Sequence, residues 1–197
     1  PLVERSPPLA EIVTIAGSPS AGSRSAAVLA YARRLLERHE LRTAAITVRD
    51  LPPEDLIYGR ADSPAIQAQV ALLREARAVI VATPVYKASL SGVLKSFLDL
   101  LPPRLLSGKV VLPLATGGSP LHALAADYAL LPVLAALGAQ HTLNSVYLID
   151  SQIRFDEVGL SLDAPVAERL DGALHDLLEA LSVAPLGETA ALHGGRT

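Results

Sequence analysis

The chain has 197 residues, half of them hydrophobic, which is enough to bury one large core and makes a single domain the expectation. A net charge of −3 with only three lysines excludes the extended basic surface that grips a nucleic-acid backbone. The absence of cysteine excludes disulfides, thiolate metal sites and cysteine nucleophiles.

Residues 1–10 and 183–197 are rich in Pro, Gly and Ala without periodicity and read as tails, flexible at the C-terminal end, flanking a domain over 11–182. The segment around Glu4, Arg5 and the Pro7-Pro8 pair lacks the apolar centre of a secretory signal, and runs such as Val110–Ala115 are far too short to span a membrane. A cytoplasmic protein with no membrane or nucleic-acid partner is the expectation. The domain opens with a strand over Glu11–Ala16, and a helix after Ser23 carries Val28, Leu29, Ala32, Leu35 and Leu36. A strand over Ala44–Val48 precedes a helix from about Pro64, a residue suited to a first helical turn. A third strand, Ala78–Ala82, leads to the apolar stripe Leu90, Val93, Leu94, Phe97, Leu98 and Leu101, spaced throughout by one, three or four residues. Strands over Val110–Ala115 and Thr142–Leu148 bracket a helix near Pro120–Leu137, and a last helix repeats the stripe from Leu170 to Leu181.

Five strands alternating with five helices predict an α/β fold: a five-stranded parallel sheet, order 2-1-3-4-5, with helices on both faces. Two prolines predict irregularities. Pro113 removes an N–H inside the fourth strand, and Pro132 removes the one that would bond the Tyr128 carbonyl, so the helix is expected to be distorted at Tyr128.

Ligands of such sheets collect beyond the carboxyl ends of the strands. After the first strand, Gly17 to Ser25 runs into a helix, offering the hydroxyls of Ser18, Ser20, Ser23 and Ser25, backbone N–H groups and Arg24 to a phosphate; the plainer account is a serine helix cap with turning glycines. After the third strand, Pro84, Val85, Tyr86 and Lys87 offer backbone groups and an aromatic flank to a planar heterocycle, or simply a half-buried tyrosine and a solvated lysine. After the fourth, Thr116, Gly117, Gly118 and Ser119 let the backbone lie against a flat ligand. The coincidence of three such loops carries more weight than any one.

No Gly-x-x-x-x-Gly-Lys-[Ser/Thr] and no Gly-x-Gly-x-x-Gly is present, and Gly17-Ser18 stands where a phospho-receiver needs acidic residues. Leu121 stands where the last glycine of a serine-hydrolase elbow belongs, and the five histidines show no metal-ligand spacing.

The blocks Ala16-Gly17-Ser18-Pro19, Ser23-Arg24-Ser25, Pro53-Glu54-Asp55-Leu56, Asp62-Ser63-Pro64-Ala65, Ala82 to Ala88, Leu98 to Pro102, Gly108 to Gly118 and Asp127 to Leu130 resemble the NAD(P)H-dependent FMN reductases, and among them those serving alkanesulfonate monooxygenases. The resemblance covers about residues 11–182. It implies a flavodoxin-like subunit that binds FMN, takes hydride from NADPH or NADH, and releases reduced FMN to a partner flavin-dependent monooxygenase in sulfonate desulfonation. By the same resemblance Ser18, Ser23 and Ser25 hold the phosphate, Pro84 to Lys87 line the isoalloxazine, and Thr116 to Ser119 its other edge. It also implies a homo-oligomer, dimer or tetramer, with Tyr128 near the interface and the cofactor. No side chain is expected to act as acid or base, since hydride passes directly between cofactors. The family loop typically reads Gly-Ser-Pro-Arg where this chain has Ser20, which shifts the cationic role to Arg24. A flavodoxin-type electron carrier, an FMN-dependent quinone or azo reductase, and a regulatory domain that has lost its cofactor share the same loops.

Overall fold

The computed structural model describes residues 10–156 and 159–183. In chain order it contains β1 (Ile12–Ala16), α1 (Arg24–Glu37), β2 (Thr43–Thr47), α2 (Pro53–Ile57), α3 (Pro64–Glu75), β3 (Ala78–Pro84), α4 (Gly92–Leu98), β4 (Val110–Gly117), α5 (Leu131–Ala136), β5 (His141–Thr142), β6 (Val146–Ile149), β7 (Ile153–Asp156), β8 (Gly159–Leu162) and α6 (Ala164–Val183). Residues 1–9 and 184–197 of the expected tails lie outside the described residues; Ala10 is buried in the core, and Val183 ends α6.

The sheet is parallel with order β2-β1-β3-β4 and a fifth position shared by β5 and β6, both paired with β4. β1 and β4 are buried along their whole length, as strands covered on both faces must be. Because successive side chains point to opposite faces, Val13, Ile15, Val79, Val81 and Val111 pack with α3, α4 and α5 on one side. Ile12, Ala16, Ile80, Leu112 and Leu114 pack with α1 and α6 on the other. Serine caps set the helix starts: Ser23, Ser63 and Ser91 each accept from a backbone N–H three residues on, and a cap of this kind stabilises a helix by about 1 kcal/mol. This is the flavodoxin-like α/β architecture expected from the alternation of elements. Among the described residues no helix is long and apolar enough to cross a membrane.

The fifth strand departs from expectation, and Pro113 explains how. β5 pairs with Val110 and Val111, β6 pairs with Leu114 to Gly117, and the ladder lapses between them. The Val111 carbonyl accepts from Leu143 N, so the alternation of a strand's hydrogen-bonding directions turns Pro113 toward the same neighbour. The missing N–H therefore falls on the fifth-strand side, where residues 143–145 pass two residues of β4, while β3 pairs with β4 without interruption. The helix expected near Pro120–Leu137 is likewise divided. A 3₁₀ turn over Pro120–His122 and a π turn over Ala126–Leu130 precede α5, and Leu131 N bonds the Ala126 carbonyl five residues back. The distortion predicted at Tyr128 is this π turn.

Two elements were not anticipated: the short helix α2 and the antiparallel hairpin β7–β8. The hairpin's signal is the two-residue alternation of Ile153 with Phe155 and of Leu160 with Leu162, set among charged residues.

Candidate functional site

β1, β3 and β4 end side by side, and the loops leaving them are tied to one another by buried polar groups. Gly17 N continues the ladder by donating to the Ala82 carbonyl at 2.8 Å, and the Gly17 carbonyl accepts from the Ser91 hydroxyl. Ser91 N in turn donates to Thr83 Oγ1 at 3.0 Å, and both residues are fully buried. Val85 N donates to the Thr116 carbonyl at 2.7 Å, which joins the second loop to the third. Gly17 has no room for a side chain, since a Cβ there would stand 2.7 Å from Leu94 Cβ.

Between the loops lies an open cleft of about 160 Å³ lined by Ser18, Ser20, Gly22, Ser23, Arg24, Pro84, Val85, Tyr86, Thr116, Gly117, Gly118 and Asp150. Ten of the thirteen residues expected from sequence are thus brought together. Ser25 is not among them: it is fully buried, and its hydroxyl is bonded to that of Ser23 at 2.8 Å. Ser23 also caps α1 by accepting from Ala26 N at 3.2 Å. The capping account of the loop holds, and the residue that caps the helix also lines the cleft. Ser18 Oγ accepts from Ser20 N at 3.2 Å, which curls the loop around its own hydroxyl.

Lys87 is exposed and lies outside the lining. It occupies a tight turn in which Tyr86 and Ser89 exchange two backbone hydrogen bonds, with Lys87 at φ 51° and Ala88 at φ 59°. Two successive left-handed residues define a type I′ turn, which glycine or asparagine normally supplies. Ser119 also faces away: its hydroxyl accepts from Leu121 N at 3.3 Å, and its carbonyl accepts from the Tyr147 hydroxyl at 2.6 Å. Gly117 is glycine for the same reason, since a Cβ would stand 2.4 Å from that hydroxyl. Gly118 faces open space, where an added Cβ would meet only Asp150 Oδ2 at 4.0 Å.

Asp150 was missed in the sequence. It opens the turn after β6, so the rule that directed attention to strand ends would have found it had it been carried to the fifth strand. Its carboxylate stands 3.9 Å from Arg24 Nη1, and these two are the charged side chains among the described residues lining the cleft. Burial, and secondarily the Asp150 charge, raises the Tyr147 hydroxyl above its ordinary pKa. Arg49 was missed as well: it reaches from the end of β2 to donate to the Pro19 carbonyl at 3.2 Å, beside Ser20.

A cleft with hydroxyls, N–H groups and one guanidinium at a helix start, opening onto bare glycine backbone, fits a phosphate joined to a flat ring. The sequence profile of the NADPH-dependent FMN reductases matches residues 10–153. An FMN reductase (NADPH) of Pseudomonas putida is 49% identical over 173 residues, 88% of this chain and 87% of that one. Its counterpart from Escherichia coli K12 is 48% identical over 170 residues, covering 86% and 89%. The crystal structure of an NADH:FMN oxidoreductase superposes with a TM-score of 0.80 at 41% identity, covering 89% of this chain and 92% of that one. The three loops and the sheet that carries them lie inside the matched span, and the chain belongs to the NADPH-dependent FMN reductase family.

Proposed function

We propose that this FMN reductase holds FMN in the cleft between the three loops and hands the reduced flavin to a partner flavin-dependent monooxygenase, in a two-component system of the alkanesulfonate type that recovers sulfur. The observation that carries the reading is the convergence of Ser18, Ser20, Ser23 and Arg24 with Pro84 to Tyr86 and Thr116 to Gly118 around one cleft. The first group suits the phosphate by its hydroxyls, its helix-terminal N–H groups and its cation, and the second suits the ring by its backbone and Tyr86. FMN supplies the hydride-accepting ring, with NADPH or NADH as donor; the residues present bind and orient, and none is assigned a proton. Ser25 belongs to this machinery through Ser23, while Lys87 and Ser119 shape the turns that flank it.

The cleft's openness supports release. At about 160 Å³ it is smaller than the ~300–1,000 Å³ of enclosed ligand pockets, so one copy of the chain covers a flavin only partly. A homo-oligomer in which Tyr128 lies at the interface near the flavin would complete the cover. Tyr128 is 77% exposed on the π turn, and Leu121 and Leu124 are exposed beside it.

The test is NADPH and NADH oxidation with and without added FMN, coupled to a flavin-dependent monooxygenase. Turnover that saturates with free FMN and feeds the monooxygenase is the expected result. Activity only with a quinone or azo dye would replace this reading, and a flavin that survives dialysis would argue for a carrier. Tyr128→Ala is expected to alter assembly and turnover together; if both are unchanged, the interface role is lost.

A further inference from the structure

From the Arg24–Asp150 pair we infer that Asp150 is a specificity-determining positioning residue that holds back the cleft's cation from the flavin phosphate and so sets how readily FMN leaves. The inference rests on the reading that FMN occupies this cleft. Among the described residues lining it, Arg24 is the one cation and Asp150 the one anion, 3.9 Å apart, with their side chains 46% and 37% exposed. Asp150 is well placed to keep this position. It opens a 3₁₀ turn pinned by Gln152, whose side-chain oxygen accepts from Ile149 N at 3.1 Å. The same carboxylate oxygen that faces Arg24, Oδ2, lies 4.0 Å from where a Cβ on Gly118 would stand, with no bond to that loop among the described residues.

A phosphate dianion seated on the 18–24 loop and the Asp150 carboxylate compete for one guanidinium, and they repel each other. Ser20 and its neighbours add hydroxyls but no charge, and Arg49 is turned onto the Pro19 carbonyl and paired with Asp50 at 3.8 Å. Asp150 therefore weakens the phosphate contribution selectively, leaving the ring contacts untouched. A reductase that must surrender its product gains from such an arrangement, because the affinity difference between flavins falls mainly on dissociation.

The experiment is fluorescence titration of FMN and of riboflavin, which lacks the phosphate, onto the full-length protein and its Asp150→Asn form, at low and high salt. Asp150→Asn is expected to tighten FMN about two- to fivefold, the range of a half-exposed charge pair, and to leave riboflavin affinity at the native value. The gain should shrink at high salt and largely vanish in an Arg24→Gln background, as a coupled pair requires. Asp150→Ala guards against an effect peculiar to asparagine and should behave alike. FMN binding that weakens or stays unchanged in both variants, or a gain shared equally by riboflavin, would overturn the inference while leaving the cleft's assignment intact. A native protein that binds neither flavin would defeat the cleft's assignment, and the inference with it.

Discussion

The loop after β1 and the loop after β3 face the same cleft but are built on opposite plans. The first is lashed from within: Gly17 bonds Ala82 and Ser91, Ser18 bonds the backbone of Ser20, and Ser25 bonds Ser23, which caps α1. The second closes on itself through the Tyr86–Ser89 turn, exposed to solvent and holding two side-chain-bearing residues in the left-handed region. The two plans match the proposed division of FMN, phosphate to the first loop and ring to the second. A compact dianion needs hydroxyls and N–H groups fixed in advance, whereas a flat ring needs a backbone edge whose shape outweighs its chemistry. The left-handed pair is a local cost of the kind that gathers at ligand sites.

The largest difference between the two loops is expected at Gly17. If the first loop is preformed, Gly17→Ala must force its Cβ against Leu94 Cβ at 2.7 Å, a contact with the stiff root of a buried side chain. Overpacking of this kind destabilises by about 1–3 kcal/mol, measured as a lower urea midpoint with an unchanged slope. Combining it with Leu94→Ala, which removes the Cγ and Cδ2 atoms that the new Cβ would meet at 2.9 and 2.8 Å but keeps Leu94's Cβ, should relieve part of the cost and give a non-additive sum. A Gly17→Ala protein of native stability would mean that the first loop is as adaptable as the second.

The second loop should respond in the opposite direction. Ala88 at φ 59° is strained for want of a glycine, so Ala88→Gly is expected to stabilise by about 1 kcal/mol in the same titration. Its FMN affinity should stay near the native value if the turn serves only to shape the edge. A loss of affinity without a loss of stability would show that the ring depends on the stiffness of this turn.

Much of this was legible from residues, and the gaps have definite physical causes. Apolar runs such as Val79 to Ala82 and the helical stripe Leu94, Phe97, Leu98 report burial directly, so strand and helix placement followed from periodicity, while the sheet order was the one such an alternation suits rather than one the residues spell out. Prolines were readable as defects because their chemistry is local: Pro113 and Pro132 each mark the site of an interruption. Pairings across the chain were not readable. Nothing near Ser25 shows that its hydroxyl turns inward to Ser23, and nothing near Asp150 shows that it meets Arg24, 126 residues earlier in the chain. Gly117 lines the cleft as expected, and what its own neighbourhood in sequence does not show is the Tyr147 hydroxyl, contributed by the fifth strand, 2.4 Å from where its Cβ would stand. The split of that strand followed from Pro113, yet its new register depended on which neighbour the missing N–H would have faced.

A subtler effect is expected at Tyr147, where β6 meets the loop after β4. Burial, then the nearby Asp150 charge, raises the Tyr147 hydroxyl above its ordinary value of 10.0. The folded protein thus keeps this proton at a pH where the unfolded chain has released it. The stability it contributes is complete below about pH 10 and is lost as pH rises through the folded value. Ultraviolet tyrosinate absorbance should therefore show a late-titrating component to which Tyr31, raised by its own burial and by Asp171, also contributes; in Tyr147→Phe that component should shrink but persist, and the alkaline unfolding curve should be flatter over the same window. Asp150→Asn should move that component down toward the ordinary range without removing it, because burial remains when the charge is gone. If Asp150→Asn left the Tyr147 titration in place while still tightening FMN, Asp150 would act on Arg24 alone; a shift in both ties the acidic residue to the two loops at once.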